Sequence, residues 1–242
     1  MKNKILENIK VIFYALLIAI IIRSILFQPF YIPSSSMEPN LLVGDRLFVS
    51  KYSYGYSRHS LPFSPNILKN RIFKKYPKQG DIIVFKTPAD NRTDYIKRLI
   101  GMPGDEVQIV NGDLYINNIR NKKQLLKKDI DINCGDEIIK TDFYKEILPN
   151  GREYIAVYRI EGSMANTDKF IVPDNHYFFM GDNRDCSKDS RFLSSVGYVN
   201  FNNLVGKSQI IFFSNYKEEG SFLKIWKWHK SIRFNRFFKR IK

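Results

Sequence analysis

Two hydrophobic patterns divide the chain. From Val11 to Ile22 every residue is apolar (VIFYALLIAIII), and after Arg23 and Ser24 the run resumes at Ile25-Leu26-Phe27. So uniform a stretch near the N-terminus argues against a buried core helix. Counted from Ile9 to Phe27, the segment gives a helix of roughly 28 Å at 1.5 Å per residue, close to the thickness of a bilayer core. Lys10 and Arg23, near its ends, can snorkel to the interfaces. A cleavable leader needs a small-x-small site after the run. Phe27-Gln28-Pro29-Phe30-Tyr31 follows instead, so the segment is expected to be an uncleaved anchor over 9–27. Lys2, Lys4 and Lys10 precede it, which predicts a cytoplasmic N-terminus (1–8) and a following domain outside the cytoplasm.

Beyond the anchor the pattern is that of short strands. Gly-Asp occurs at 44–45, 80–81, 104–105, 112–113, 135–136 and 181–182, and several of these pairs lead directly into β-rich runs. Examples are Asp81–Phe85, Asp105–Val110 and Asp113–Ile116, with Asn111-Gly112 as a two-residue hairpin signal between the last two. Arg46–Tyr52, Glu153–Tyr158 and Ser208–Phe213 read as further strands. No long helical periodicity appears between residues 40 and 215. The expected fold is therefore mainly β: a transmembrane helix followed by an antiparallel β domain over 28–119 and 171–215. Residues 52–79 read as a long loop. Residues 120–170 lose the dense β pattern and read as an inserted subdomain of a small hairpin and loops.

Composition adds two constraints. The net charge is +15 over 242 residues. Nucleic acid or an anionic membrane surface could account for it. The last 22 residues carry eight Lys or Arg and no acid, interleaved with Phe and Trp. For a chain anchored outside the cytoplasm that mixture favours a bilayer interface over nucleic acid, so 216–242 is expected to be a basic aromatic tail, at the membrane surface or else solvated or packed on the domain. Two cysteines, Cys134 and Cys186, make no disulfide framework and no zinc cluster. A single bridge between them is left open by their spacing.

Three segments carry candidate chemistry. Ser36 lies just past the anchor in Pro33-Ser34-Ser35-Ser36-Met37-Glu38-Pro39, stiffened by prolines on both sides. Taken alone, a run of serines is more often a polar turn. Lys97 lies in Asp94-Tyr95-Ile96-Lys97-Arg98-Leu99. In a strand it would share a face with Tyr95 and Leu99, where desolvation lowers a lysine's pKa and leaves a neutral amine able to take a proton from a serine. The third segment is Gly181-Asp182-Asn183-Arg184-Asp185-Cys186-Ser187-Lys188-Asp189-Ser190-Arg191. Its polar density suits either a solvated loop or a buried hydrogen-bond network. Of the histidines, only His176 lies near this segment, and the chain has no Gly-x-Ser-x-Gly elbow for a Ser-His-Asp triad.

Taken together, these segments resemble bacterial type I signal peptidase, the membrane-bound Ser/Lys protease that removes signal peptides from exported proteins. The resemblance covers the anchor to about Ile119 and then Phe170 to Phe213. It rests on the motifs Pro-Ser-x-Ser-Met-x-Pro, Gly-Asp-Ile-Ile-Val-Phe, Tyr-Ile-Lys-Arg-Leu-Ile-Gly-x-Pro-Gly-Asp and Gly-Asp-Asn-Arg-Asp-x-Ser-x-Asp-Ser-Arg, in that order. It implies that Ser36 is the nucleophile and Lys97 the base. It also implies that Ser34 and the Ser36 N–H form an oxyanion hole, that Ser187 orients the lysine, and that Asp189 and Arg191 brace the region as an ion pair. Phe30, Ile32, Met37, Leu41, Val84, Tyr95 and Ile96 match positions lining shallow pockets for small side chains. The resemblance implies no cofactor and no metal. Its partners would be signal-peptide-bearing preproteins and the bilayer of the cytoplasmic (inner) membrane, but not nucleic acid, and the protein would be a monomer. Ser35 stands where glycine is common and Cys186 where Asn or Asp is common. Rival readings are a specialised Ser/Lys processing protease and a non-enzymatic, membrane-tethered β-domain binding protein.

Overall fold

The computed structural model describes residues 2–160, 165–216 and 231–241. It begins with helix α1, Lys2–Ile25. The side chains from Ile5 through Ile22 are almost all uncovered by protein, and an 18-residue window within Lys4–Ile25 has a mean hydropathy of 2.3. Among the described residues it is the one helix long and apolar enough to cross a membrane. The helix stops two residues short of the expected Phe27. Phe27 instead opens strand β1 (Phe27–Tyr31), where its ring packs against Phe48 and Tyr52.

The remaining strands are β2 (Asp45–Ser50), β3 (Ile82–Lys86), β4 (Asp94–Gly101), β5 (Glu106–Val110), β6 (Asp113–Ile116) and β7 (Ile119–Arg120). They continue with β8 (Lys122–Cys134), β9 (Glu137–Ile147), β10 (Glu153–Arg159), β11 (Phe170–Ile171), β12 (His176–Met180), β13 (Val199–Asn200), β14 (Leu204–Ser214) and β15 (Lys239–Arg240). The main sheet runs β1-β2-β14-β3-β4-β12-β13, with β15 added to β14, and a second sheet runs β11-β5-β6-β7. All the strand pairings are antiparallel. Asn111 and Gly112 both take positive φ at the β5–β6 turn, as a two-residue hairpin of primed type requires. Residues 52–79 contain no strand, only a short 3-10 turn at Arg58–Ser60 and a bridge between Tyr56 and Ile72.

The inserted segment is more regular than a small hairpin with loops. It is a three-stranded sheet, β10-β9-β8, whose strands of 13 and 11 residues are the longest in the chain together with β14. Alternation failed to reveal β8 because most of its side chains are exposed on both faces. Opposite charges stand across the ladder, Asp131 opposite Lys140 and Lys123 opposite Glu146. A disulfide joins Cys134, at the end of β8, to Cys186, with Cα atoms 5.6 Å apart.

Of the tail, residues 217–230 lie outside the described residues, and 231–241 pack onto the β domain, one of the alternatives left open above. Arg236 donates to both oxygens of Asp45, a fully buried acid, and to the Asn40 carbonyl. Phe237 packs on Phe213, and Ile241 joins an apolar cluster of the main sheet. A buried carboxylate needs a partner, and the tail supplies it.

Candidate active site

The Pro33–Pro39 segment leaves β1, makes a single 3-10 turn at Ser35–Met37, and buries Ser35, Ser36 and Met37. Ser35 is absent from the residues with positive φ, so the glycine common at this position is not required by the backbone here. Met37 anchors the turn. It is fully buried in a cluster with Ile32, Leu41, Val84 and Val205. The turn is therefore fixed from below, and Ser36 is carried with it.

Lys97 approaches from β4. Its Nζ lies 2.6 Å from Ser36 Oγ, and the two residues are 3% and 5% exposed. Burial lowers the Lys97 pKa from 10.5 to about 8, although Asp189 and Asp182 pull it upward. Such an amine is substantially neutral at mildly alkaline pH and can accept the Ser36 proton. The Lys97 Nζ also stands 5.6 Å from the centre of the Tyr95 ring. Ser34 is exposed, and its Oγ lies 3.3 Å from Ser36 Oγ.

The third segment packs behind this pair. Gly181 N–H donates to Asp189, which is held by Arg191 at 2.8 Å on each oxygen. Burial favours the neutral acid, but the Arg191 charge and hydrogen bonds outweigh it and hold the Asp189 pKa below its usual value. A Cβ on Gly181 would lie 2.2 Å from Ser187 Oγ and 2.5 Å from the Ser36 carbonyl oxygen, so only glycine fits. Ser187 is buried there, close enough to Asp189 to help lower its pKa. Its Oγ meets hydrogen-bond geometry with no partner, including Lys97. The lysine-orienting bond implied for Ser187 is thus not formed in this structure.

Several residues that the sequence reading left without roles complete the arrangement. Arg98, fully buried, makes a two-point ion pair with Asp182 at 2.7 and 2.8 Å. Asp182 also accepts from Asn40 Nδ2 at 2.8 Å, tying the segment after Ser36 to the 181–191 loop. The Asn183 N–H donates to the Ser36 carbonyl, and its Nδ2 to the Ser35 carbonyl. The inserted sheet reaches the same loop. Val157 of β10 bonds through its backbone with Asp182 and Arg184, and Glu146 of β9 forms a buried ion pair with Arg184.

Of the residues matched to substrate pockets, Phe30, Ile32, Met37, Leu41, Val84 and Ile96 belong to one apolar cluster. Ile32, Met37, Leu41 and Val84 are closed over, leaving Phe30 and Ile96 as its partly exposed members. Tyr95 packs instead on the neighbouring cluster around Phe85. Beside them runs a strand edge. Asp94–Lys97 pair with β3, whereas β12 pairs with β4 only from Arg98 onward. His176 faces the Asp174 carbonyl and Asn200, and its ring makes no bond with Ser36.

The family model described as "Signal peptidase, peptidase S26" matches residues 5–213. The chain belongs to this family. It is 39% identical over 246 residues to signal peptidase I of Rickettsia prowazekii (strain Madrid E), an alignment covering 94% of this chain and 90% of that protein. Signal peptidase I of Rickettsia massiliae (strain Mtu5) is 40% identical over 245 residues, with the same coverage. A solved signal peptidase I from Enterococcus faecalis V583 shares 29% identity, with a TM-score of 0.32, over 55% of this chain and 97% of that one. The protein is thus a serine peptidase of the signal peptidase I family, and its N-terminal apolar helix fits membrane attachment.

Proposed function

We propose that this signal peptidase I family member removes N-terminal signal peptides from exported preproteins by a Ser36/Lys97 dyad, cutting after small-x-small sites. The observation that carries the reading is the 2.6 Å contact between Ser36 Oγ and the buried Lys97 amine. An extended substrate adds along the unpaired Asp94–Lys97 edge, with its small side chains directed to the apolar cluster bordered by Phe30 and Ile96. Ser36 Oγ attacks the scissile carbonyl carbon as its proton passes to Lys97. The carbonyl oxygen becomes an oxyanion stabilised by the Ser36 N–H and the Ser34 hydroxyl. The C–N bond then breaks, Lys97 returns the proton to the leaving amine, and an ester to Ser36 remains. Water attacks this ester with Lys97 again as base, releasing the cleaved signal peptide and free Ser36.

In this reading Asp189, Arg191 and Ser187 act through Lys97 and its surroundings, and 28–119 with 171–215 form the catalytic domain. The anchor is single-pass, with a cytoplasmic N-terminus, in the cytoplasmic membrane. The test is incubation of the purified full-length protein with a preprotein in detergent, with product mass mapped. The wild type should cut after a small residue and Ser36→Ala should not. Cleavage by folded Ser36→Ala at the wild-type position would end the proposal.

A further inference from the structure

At the domain end of α1 the chain forms a cavity of about 560 Å³ lined by Arg23, Arg58, Lys86 and Arg92, with Asp90 and Asp94 as its acids. Both acids are already engaged. Asp94 pairs with Lys86 at 2.9 Å, and Asp90 accepts from Thr93 Oγ1 and from the Arg92 and Thr93 N–H groups. Among the described residues Arg23, Arg58 and Arg92 form no ion pair, and Arg58 donates only to His59 Nε2. Beneath them lies Lys51, 1% exposed, whose Nζ donates to the His59 carbonyl. Burial lowers its pKa to about 8, and the positive charges of Arg23, Lys86 and Arg71 press in the same direction against Asp94. His59 is pushed down to about 4, by burial first and then by Arg58. Burial is the larger cause of both shifts, and the neighbouring cations add to it.

Position narrows the ligand. Arg23 is in the last turn of α1, whose apolar side chains are uncovered by protein. If α1 spans the bilayer, Arg23 stands at the depth of the lipid phosphates. The loop bearing Arg58 is held at that level, because Tyr56 OH donates to the Ile25 carbonyl. On the cavity's lip Phe63 is completely exposed. An apolar finger beside unpaired guanidinium groups suits a molecule with an anionic head and an acyl tail. We propose that this cavity seats the phosphodiester of an anionic phospholipid of the phosphatidylglycerol class, gripped by Arg23, Arg58 and Arg92. Guanidinium forks match phosphate oxygens in two-point contacts. Bound lipid would fix the height and tilt of the β domain at the membrane surface. The cavity contains neither Ser36 nor Lys97, although Phe30 and Asp94 on its wall also border the proposed substrate edge.

The test uses full-length protein in nanodiscs of phosphatidylcholine containing phosphatidylglycerol, released into mild detergent and weighed by native mass spectrometry. The wild type should retain phosphatidylglycerol. R58Q/R92Q should retain about tenfold less or lower still, with R23Q falling in the same direction. Cleavage of a short soluble peptide by the same samples reports the fold and should be unchanged. Equal lipid retention by wild type and R58Q/R92Q would overturn the proposal. Binding of inorganic phosphate without lipid, lost in R58Q/R92Q, would assign the site to the free ion and overturn the lipid source. A raised KM for a long signal-peptide substrate with lipid retention intact would give the cavity to the peptide instead.

Discussion

Arg98 and Asp182 are 84 residues apart in sequence, yet they meet in a two-point ion pair that is almost wholly shielded from water. Lys97, the residue before Arg98, points its amine at Ser36. One strand thus delivers two cations to different partners. Arg98 stays charged and locks the 181–191 loop to β4, while burial allows Lys97 to lose its proton. Removing Asp182 would leave Arg98 buried and uncompensated. Asp182→Ala should therefore destabilise the fold by about 3–5 kcal/mol. Arg98→Met with Asp182→Leu should recover most of this, and urea unfolding of the three proteins checks it. An unchanged midpoint in Asp182→Ala would show that the pair carries no such role.

The pH dependence follows from Lys97. Its pKa is lowered from 10.5 to about 8 by burial. In the proposed mechanism the active form is the neutral amine, so kcat/KM should rise with pH through about 8 rather than fall. Lys97→Arg should be folded but inactive, because the guanidinium keeps its proton. Stability should also rise between about pH 8 and 10.5, where the unfolded chain binds the proton that folded Lys97 has released. A kcat/KM profile with no inflection near 8 would remove Lys97 as the titrating base.

Gly181 is a contact point rather than a hinge. Gly181→Ala would drive a methyl group into Ser187 Oγ and the Ser36 carbonyl. The displaced turn should lower kcat by about 100-fold or more, as small misplacements of reacting groups do. KM for a short peptide should change little, and steady-state kinetics on folded protein separate the two.

The C-terminal segment should matter for both stability and turnover. Arg236 neutralises buried Asp45 and reaches the Asn40 carbonyl, while Asn40 Nδ2 holds Asp182. Arg236→Ala should cost about 3 kcal/mol or more by stranding Asp45, and it should lower peptide cleavage as well. Thermal melts and peptide assays on the full chain test this. Unaltered melting would mean that Asp45 finds another partner.

These contacts show where sequence reading succeeds. The N-terminal apolar helix, the β5–β6 turn and strands such as β3 and β6 follow from local rules: uniform apolarity, Asn-Gly, and short β-rich runs. Ser36 and Lys97 could be singled out because each lies in a contiguous motif that resembles a known family's, and the structure brings the two side chains together. Arg98, Asp182, Asn40 and Glu146 were passed over because each has an ordinary surface composition. Their burial depends on partners remote in the chain, and no local pattern encodes that. The same holds for β8, which is paired along its length but exposes most side chains and so shows no clear core face. The tail stayed undecided for a related reason: cations and aromatics suit a bilayer or a domain surface, and only the position of Asp45 reveals where Arg236 goes.

The order in which the chain is made acquires a meaning from the 181–191 loop. Ser36 and Lys97 are both synthesised within the first hundred residues, but the Gly181 contact, the Asp189–Arg191 pair and the Arg98–Asp182 lock come from the last third of the sequence. Asp45 waits longer still, for Arg236. A nascent chain carrying the serine and the lysine would thus hold them in an unfinished frame, with Arg98 and Asp45 lacking their counter-charges. On the proposed dyad, cleavage would await the docking of these late segments.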